Sequence, residues 1–276
     1  MRLIPDVPLT TRLEGIGPFR LRLRRNRSLW LRAPLESEEF PFAMLRHWVR
    51  PGDVVYDCGA NLGLYARYLV GTLGAGRVVA FEPSPDNRAL LMQNLALGDI
   101  ANRVTVMPMA LADEDGTAEF QVDDMQSASG TLSKVTGGEP CVGRKNLGLG
   151  PLTEQVLCRR LDTVMAEEKL PPPDVLKIDV EGAEGLLLRG AAGVLRERGP
   201  RLLVELHGPE MARDVVTLLH ELGYACAAKV APHLYPGGYG RVDPSLLGRV
   251  TGLYDIHFLV ASRDPAGLPA TWEERA

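Results

Sequence analysis

"VVYDCGANLGLYARYLV", residues 54–70, begins as an apolar run and ends in a helical pattern, with an acid and two glycines at the junction. Val54 to Asp57 has the β-branched, nearly continuous apolar character of a strand buried on both faces. From Leu64 onward the apolar residues recur at helical spacing. The carboxyl end of such a strand is where an open α/β sheet binds its ligand. The residues of the turn, Asp57 to Gly63, therefore carry the first functional information in the chain.

The same rhythm continues outward from this unit. "RVVAFE" (77–82) precedes a helix that begins near Pro85, a proline suited to a first helical turn. "VTVMPMAL" (104–111) and "TAEFQV" (117–122) read as strands, and "DVLKID" (174–179) as a strand followed by a helix. "RLLVEL" (201–206) leads into the helix "EMARDVVTLLHELG", and "HFLVAS" (257–262) closes the series. Strands alternating with helices predict a doubly wound, mostly parallel α/β sheet covered on both faces. The expected organisation is an N-terminal cap over 1–48, a main domain over 49–264 and a C-terminal tail over 265–276. The cap carries the aromatic cluster Trp30, Phe40, Phe42 and Trp48. Residues 123–152 form an insert, rich in Gly, Ser and Lys and too long for a plain connection. With 229–250 it is a candidate lid or substrate wall.

The 276 residues are 45% hydrophobic and 24% charged, enough for a sizeable core, and the net charge of -4 gives no general attraction to nucleic acid or anionic membranes. The basic stretch "RLRLRRNR" (20–27) alternates with Phe19, Leu21 and Leu23 and reads as a strand with a solvated basic face. Four cysteines (Cys58, Cys141, Cys158, Cys226) make no CxxC pair, which favours a reducing compartment. With no signal-peptide pattern and no membrane-length apolar run, the expectation is a cytoplasmic protein. A homo-oligomer is compatible with the sequence.

Three ligands can be weighed at the turn. A P-loop needs a lysine after its second glycine, and Leu64 follows Gly63. A dinucleotide fold needs GxGxxG to let the backbone approach a pyrophosphate, and the residues after Gly59 do not supply it. S-adenosylmethionine has no pyrophosphate but has an amino-acid tail, a ribose diol and an adenine. Asp57 suits its ammonium group, Gly59 leaves room for its approach, and Asn61 and Gly63 complete the turn. Glu82 can accept from both ribose hydroxyls, with Ser84 beside it, and the Ala110 backbone falls where the adenine edge should lie.

The sequence then resembles the FkbM family of S-adenosylmethionine-dependent methyltransferases. The likeness rests on "DCGANLG" (57–63), "FEP" (81–83) and "KIDVEGAEGLLLRGA" (177–191), with "RRLDTV" (159–164) and "LVELHG" (203–208) in support. It implies a class I methyltransferase fold, Rossmann-like, with seven strands of which the last is antiparallel. It also implies methyl transfer to a hydroxyl of a small molecule, in secondary metabolism or on a sugar.

Asp179, Glu181 and His207 stand at strand ends and are the candidates to position or deprotonate the acceptor, with Asp179 also beside the methionine tail. His207 is the preferred base, because an ordinary imidazole titrates near neutrality. Glu181 is expected to open the helix after its strand, and Glu184 reads as a helix-dipole acid. No metal is assigned; a divalent cation on Asp179, Glu181 and His207 is the less favoured alternative. A catalytically inactive cofactor-binding partner subunit and an NAD-dependent oxidoreductase are the rival functional readings.

Overall fold

The junction at residues 54–70 folds as its pattern predicts: a strand at Val54–Cys58, then a helix at Leu64–Gly71. The computed structural model describes residues 5–27, 38–125, 130–235 and 237–270. Trp30 of the aromatic cluster, residues 126–129 of the insert and residues 271–276 of the tail lie outside the described residues. The chain forms two units, one of residues 1–37, 50–110 and 116–158, the other of 38–49, 111–115 and 159–276.

In the first unit, β1 (Pro8–Leu13) and β2 (Gly17–Arg22) form an antiparallel hairpin. Phe19 and Leu21 of β2 are fully buried against Leu13, Leu62 and Leu90. The hairpin is fixed by Asn94, whose Oδ1 accepts from Arg20 N at 2.6 Å while Nδ2 donates to the carbonyls of Arg20 and Leu62 at 2.8 Å. Arg67 adds hydrogen bonds to the carbonyls of Ile16, Pro18 and Asn94. The central strands are β3 (Val54–Cys58), β4 (Arg77–Phe81) and β5 (Val104–Met107), all parallel with β4 in the middle. Their runs are β-branched and buried, and the helix Pro85–Leu97 starts at the proline, as expected.

The run 104–111 is not one strand. β5 stops at Met107 and a short β6 (Ala110–Leu111) follows. Pro108 has no N–H for a ladder, and Met109 N turns back onto Met107 O. Next, β7 (Gly116–Gln121) pairs antiparallel with β8 (Thr131–Leu132) and with β9 (Thr153–Arg159). Within the insert, Asp123 is buried and accepts from Met125 N and Gly143 N, and short helices form at Ser133–Thr136 and Val142–Lys145.

In the second unit, β10 (Val175–Ile178) and β11 (Arg201–Glu205) are parallel, in the register Ile178↔Val204. The remaining strands are β12 (Ala225–Val230), β13 (Tyr239–Val242) and β14 (Ile256–Ser262). β14 runs antiparallel to both β11 and β12, and β13 is antiparallel to β12. The last strand is therefore antiparallel, as expected. Among the described residues the central strands of the two units number eight and not seven. The additional one, β13, comes from the aromatic segment 229–250, where the Tyr239 ring packs 6.0 Å from Phe40. The helix Pro209–Glu221 buries Ala212, Val215, Val216 and Leu219, one helical stripe, with its proline in the first turn. The fold is mixed α/β, with a mixed sheet. Among the described residues no helix is long and apolar enough to cross a membrane. All four cysteines are buried thiols, Cys58 in the middle of the core.

Candidate functional site

In the first unit the turn after β3 is tied to the end of β4. Gly59 N and Ala60 N both donate to Phe81 O, at 3.0 and 2.9 Å. Gly59 has φ +84 and Asn61 φ +48, left-handed conformations that glycine, and asparagine more than most residues, tolerate. Gly63 is left-handed too, and a Cβ there would stand 3.2 Å from Leu91 Cγ, so its role includes helix packing. Asp57, one residue before the end of β3, is completely buried.

Glu82 follows β4 and is buried as well. Its Oε2 accepts from Asn61 N at 2.8 Å, and its Oε1 accepts from Ser84 N at 2.8 Å and from Asn87 Nδ2 at 3.4 Å. Burial raises its pKa to about 7, and the Ser84 and Asn61 N–H groups hold it from rising further. A carboxylate has about four lone-pair sites, so acceptor capacity remains for a diol. The buried Asn61 Oδ1 has no hydrogen-bond partner among the described residues. Ser84 is buried, and Ala110 opens β6 in a buried position.

The second unit gathers the other candidates. Asp179 lies immediately past β10, and His207 two residues past β11. Glu181 does not open the helix: that helix starts at Glu184, and Glu181 stands in the preceding turn with φ +52, an uncommon conformation for a non-glycine residue. Left-handed side chains of this kind gather at functional sites. His207 Nε2 is 3.5 Å from Glu181 Oε2 and 3.9 Å from Asp179 Oδ1. Its Nδ1 is 2.9 Å from Glu184 Oε1, which also accepts from Gly182 N at 3.0 Å.

Burial works against a charge on His207, but the Glu184 hydrogen bond and the carboxylates of Glu181, Glu184 and Asp179 outweigh it and hold the imidazole well above its ordinary range. The premise of an ordinary titration near neutrality therefore does not hold in this setting. Burial likewise raises Glu181; Asp179, Glu205 and Glu184 add to the rise, and His207 opposes it.

Sequence reasoning missed two members of the cluster. Glu184 is fully buried and orients His207 in addition to accepting from Gly182 N in the turn before its helix. Glu205 ends β11, and its Oε1 lies 3.2 Å from His257 Nε2. Aligning the ends of the two apolar runs "LKI" and "LLV" would have placed Asp179 beside Glu205, because the parallel register sets Ile178 against Val204. On the other side, buried Lys177 places Nζ 3.2 Å from Asp179 Oδ2.

Residues 57–226 match the family model described as Methyltransferase FkbM domain. The chain is 31% identical to "31-O-demethyl-FK506 methyltransferase FkbM" of Streptomyces tacrolimicus over 208 residues, 68% of this chain and 79% of that protein. It is 28% identical to "Hexuronic acid methyltransferase AglP" of Haloferax volcanii over 216 residues, 78% of this chain and 80% of that protein. Among solved structures it is similar to "Methyltransferase FkbM" from Methylobacillus flagellatus, with a TM-score of 0.46 and 16% identity, over 76% of this chain and 43% of that one.

Proposed function

Because the chain belongs to the FkbM family of S-adenosylmethionine-dependent methyltransferases, we propose that it transfers a methyl group to a hydroxyl oxygen of a small molecule. The observation that carries this reading is the buried Glu82 carboxylate tied to the glycine turn through Asn61 N. S-adenosylmethionine supplies an electrophilic methyl on a sulfonium, whose carbon–sulfur bond breaks as the acceptor oxygen takes the methyl.

The residues of the first unit suit that cofactor. Glu82 accepts from the ribose hydroxyls, and Asn61 Oδ1 and Asp57 take the polar tail. The left-handed turn at Gly59 gives close approach, and Ser84 and the Ala110 backbone face the nucleoside. In the second unit Asp179, Glu181 and His207 position the acceptor hydroxyl and a carboxylate of Asp179 or Glu181 receives its proton, while Glu184 orients His207. Acid–base help of this kind contributes about 10²–10⁴-fold. The names of the two relatives, one for a demethyl-FK506 and one for a hexuronic acid, support a small-molecule acceptor.

The test is incubation of the protein with labelled S-adenosylmethionine and a library of hydroxylated small molecules, sugars and uronic acids included. Oxygen-methylated product with stoichiometric S-adenosylhomocysteine is expected. Label on nitrogen or carbon, or no turnover with any acceptor while the cofactor binds, contradicts the reading; the second result would favour a non-catalytic partner subunit.

A further inference from the structure

The basic stretch 20–27 does not fold as the solvated strand face its alternation predicts. β2 ends at Arg22, and the chain turns at once. Of its five arginines only Arg20 is exposed; Arg22, Arg24, Arg25 and Arg27 are half-buried. A guanidinium taken partly out of water needs an anion or a full set of acceptors, because a desolvated charge left unpaired is destabilising.

Carboxylates meet that need at Arg25. Its Nε lies 2.6 Å from Asp6 Oδ2 and its Nη1 3.3 Å from Asp86 Oδ2. Arg22 Nη1 donates to the Asp6 carbonyl at 3.3 Å. Arg24 and Arg27 have no carboxylate partner among the described residues. Arg24 Nη1 meets the thioether sulfur of Met125 at 3.9 Å, and its buried Nε has no hydrogen-bond partner among the described residues. Arg27 Nη1 meets two carbonyls, Met125 O at 3.2 Å and Arg24 O at 3.4 Å.

Both heads thus converge on Met125, at the root of the insert. The two acids before Met125 serve other partners. Asp124 pairs with Arg144 at 2.6 Å, and Asp123 accepts from the amides of Met125 and Gly143. The turn that carries the arginines is firmly held. Buried Asn26 accepts from Arg22 N at 2.7 Å, its own N–H returns to Arg22 O, and Arg25 N donates to Asp6 Oδ1. A guanidinium has five N–H donors, and most of those on Arg24 and Arg27 are unspent among the described residues. Paired N–H groups of this kind match the oxygens of a phosphoryl or carboxylate group. Both side chains keep partial exposure, so a ligand can reach them.

We propose that Arg24 and Arg27 bind a phosphoryl or carboxylate group of a small molecule. The residues of this site all belong to the first unit. The anion arrives free or as part of the methyl acceptor. The acceptor is favoured, because both arginines touch the start of the segment whose composition suits a substrate wall. The acceptor is then an acidic molecule. This consequence rests on the proposed methyl transfer; the binding of the anion does not.

The experiment is a calorimetric titration of the full chain with inorganic phosphate at constant ionic strength, which holds general screening fixed. Saturable binding to a single site is expected, with a dissociation constant raised at least about tenfold in Arg24→Gln and in Arg27→Gln. It should be unchanged in Arg20→Gln, whose side chain is exposed. Arg24→Lys and Arg27→Lys keep the charge and lose the planar fork. They replace a glutamine variant that fails to fold, with a loss of at least about threefold expected of each. Absence of saturable binding, undiminished binding in the folded variants, or an equal loss in Arg20→Gln overturns the proposal. S-adenosylhomocysteine is titrated into the same samples. Cofactor binding without phosphate binding removes the anion site alone. Phosphate binding without cofactor binding removes the methyltransferase reading and leaves the anion site standing. Matched acidic and neutral members of the acceptor library identify the source of the anion. A higher kcat/KM for the acidic member, lost in Arg24→Gln, places the group on the acceptor; equal values overturn that part and assign the site to a free anion.

Discussion

Glu184 Oε1 lies 2.9 Å from His207 Nδ1, although the two residues are 23 positions apart, and the same oxygen accepts the Gly182 N–H at 3.0 Å. One buried carboxylate thus fixes both the turn that carries Glu181 and the ring that faces it. Glu184→Gln preserves size and should leave affinity for S-adenosylhomocysteine intact while lowering kcat about 10–100-fold. Steady-state kinetics that separate kcat from the KM of each substrate check it. A kcat equal to that of the unsubstituted protein would reduce Glu184 to a support of the turn at Gly182. Glu184→Ala is the poorer probe, because removing a buried hydrogen-bond partner costs about 1–3 kcal/mol in stability.

This relationship was not legible in the sequence. Glu184 sits where an acid favours any helix, and the local explanation was sufficient by itself. Its contact with His207 depends on the register of two parallel strands, which no short window contains. The junction at 57–63 and the acid at Glu82 were readable for the opposite reason, since local turn chemistry and burial pattern dictate both. β13 was hidden by its glycines and prolines, which have a loop's composition; it is held by pairing with β12 and by the Tyr239 ring against Phe40. Pro108 could have been read as the break between β5 and β6, because proline cannot continue a ladder.

The buried position of Glu82 predicts a pH dependence. Its pKa is raised to about 7, chiefly by burial, so below that value the side chain of the unliganded protein is increasingly protonated. Ribose hydroxyls donate best to the ionised form. Binding of S-adenosylhomocysteine should therefore release a proton near about pH 6.5, and affinity should fall as pH drops through that range. Calorimetry in two buffers of different ionisation enthalpy measures the release. Proton uptake, or none in this range, would show that the nucleoside does not engage the carboxylate.

The N-terminal hairpin is tied down by two side chains, Asn94 and Arg67. Asn94 makes three hydrogen bonds of 2.6–2.8 Å to the backbone of Arg20 and Leu62 and is fully buried. Asn94→Ala strands those groups and should lower unfolding free energy by about 2–4 kcal/mol. Urea titration measures the loss. A change below about 0.5 kcal/mol would mean that the hairpin is held by its apolar face and Arg67 without Asn94.

Residues 123–152 should gain hydrogen-exchange protection when acceptor binds in the presence of S-adenosylhomocysteine. The amides of Met125 and Gly143, which donate to buried Asp123, should be protected with or without ligands. Exchange that no ligand alters elsewhere in the segment would make it a passive connection and not a lid.

The central claim, that the acid after β4 and the glycine turn hold S-adenosylmethionine, is tested most directly by calorimetric titration of S-adenosylhomocysteine into the unsubstituted protein and into Glu82→Ala, with NAD in parallel. The account predicts saturable binding of S-adenosylhomocysteine, none of NAD, and a loss of about 1.5–3 kcal/mol in the variant, roughly 10–150-fold in affinity. Equal affinity in a folded Glu82→Ala protein, or binding of NAD in place of S-adenosylhomocysteine, would contradict it.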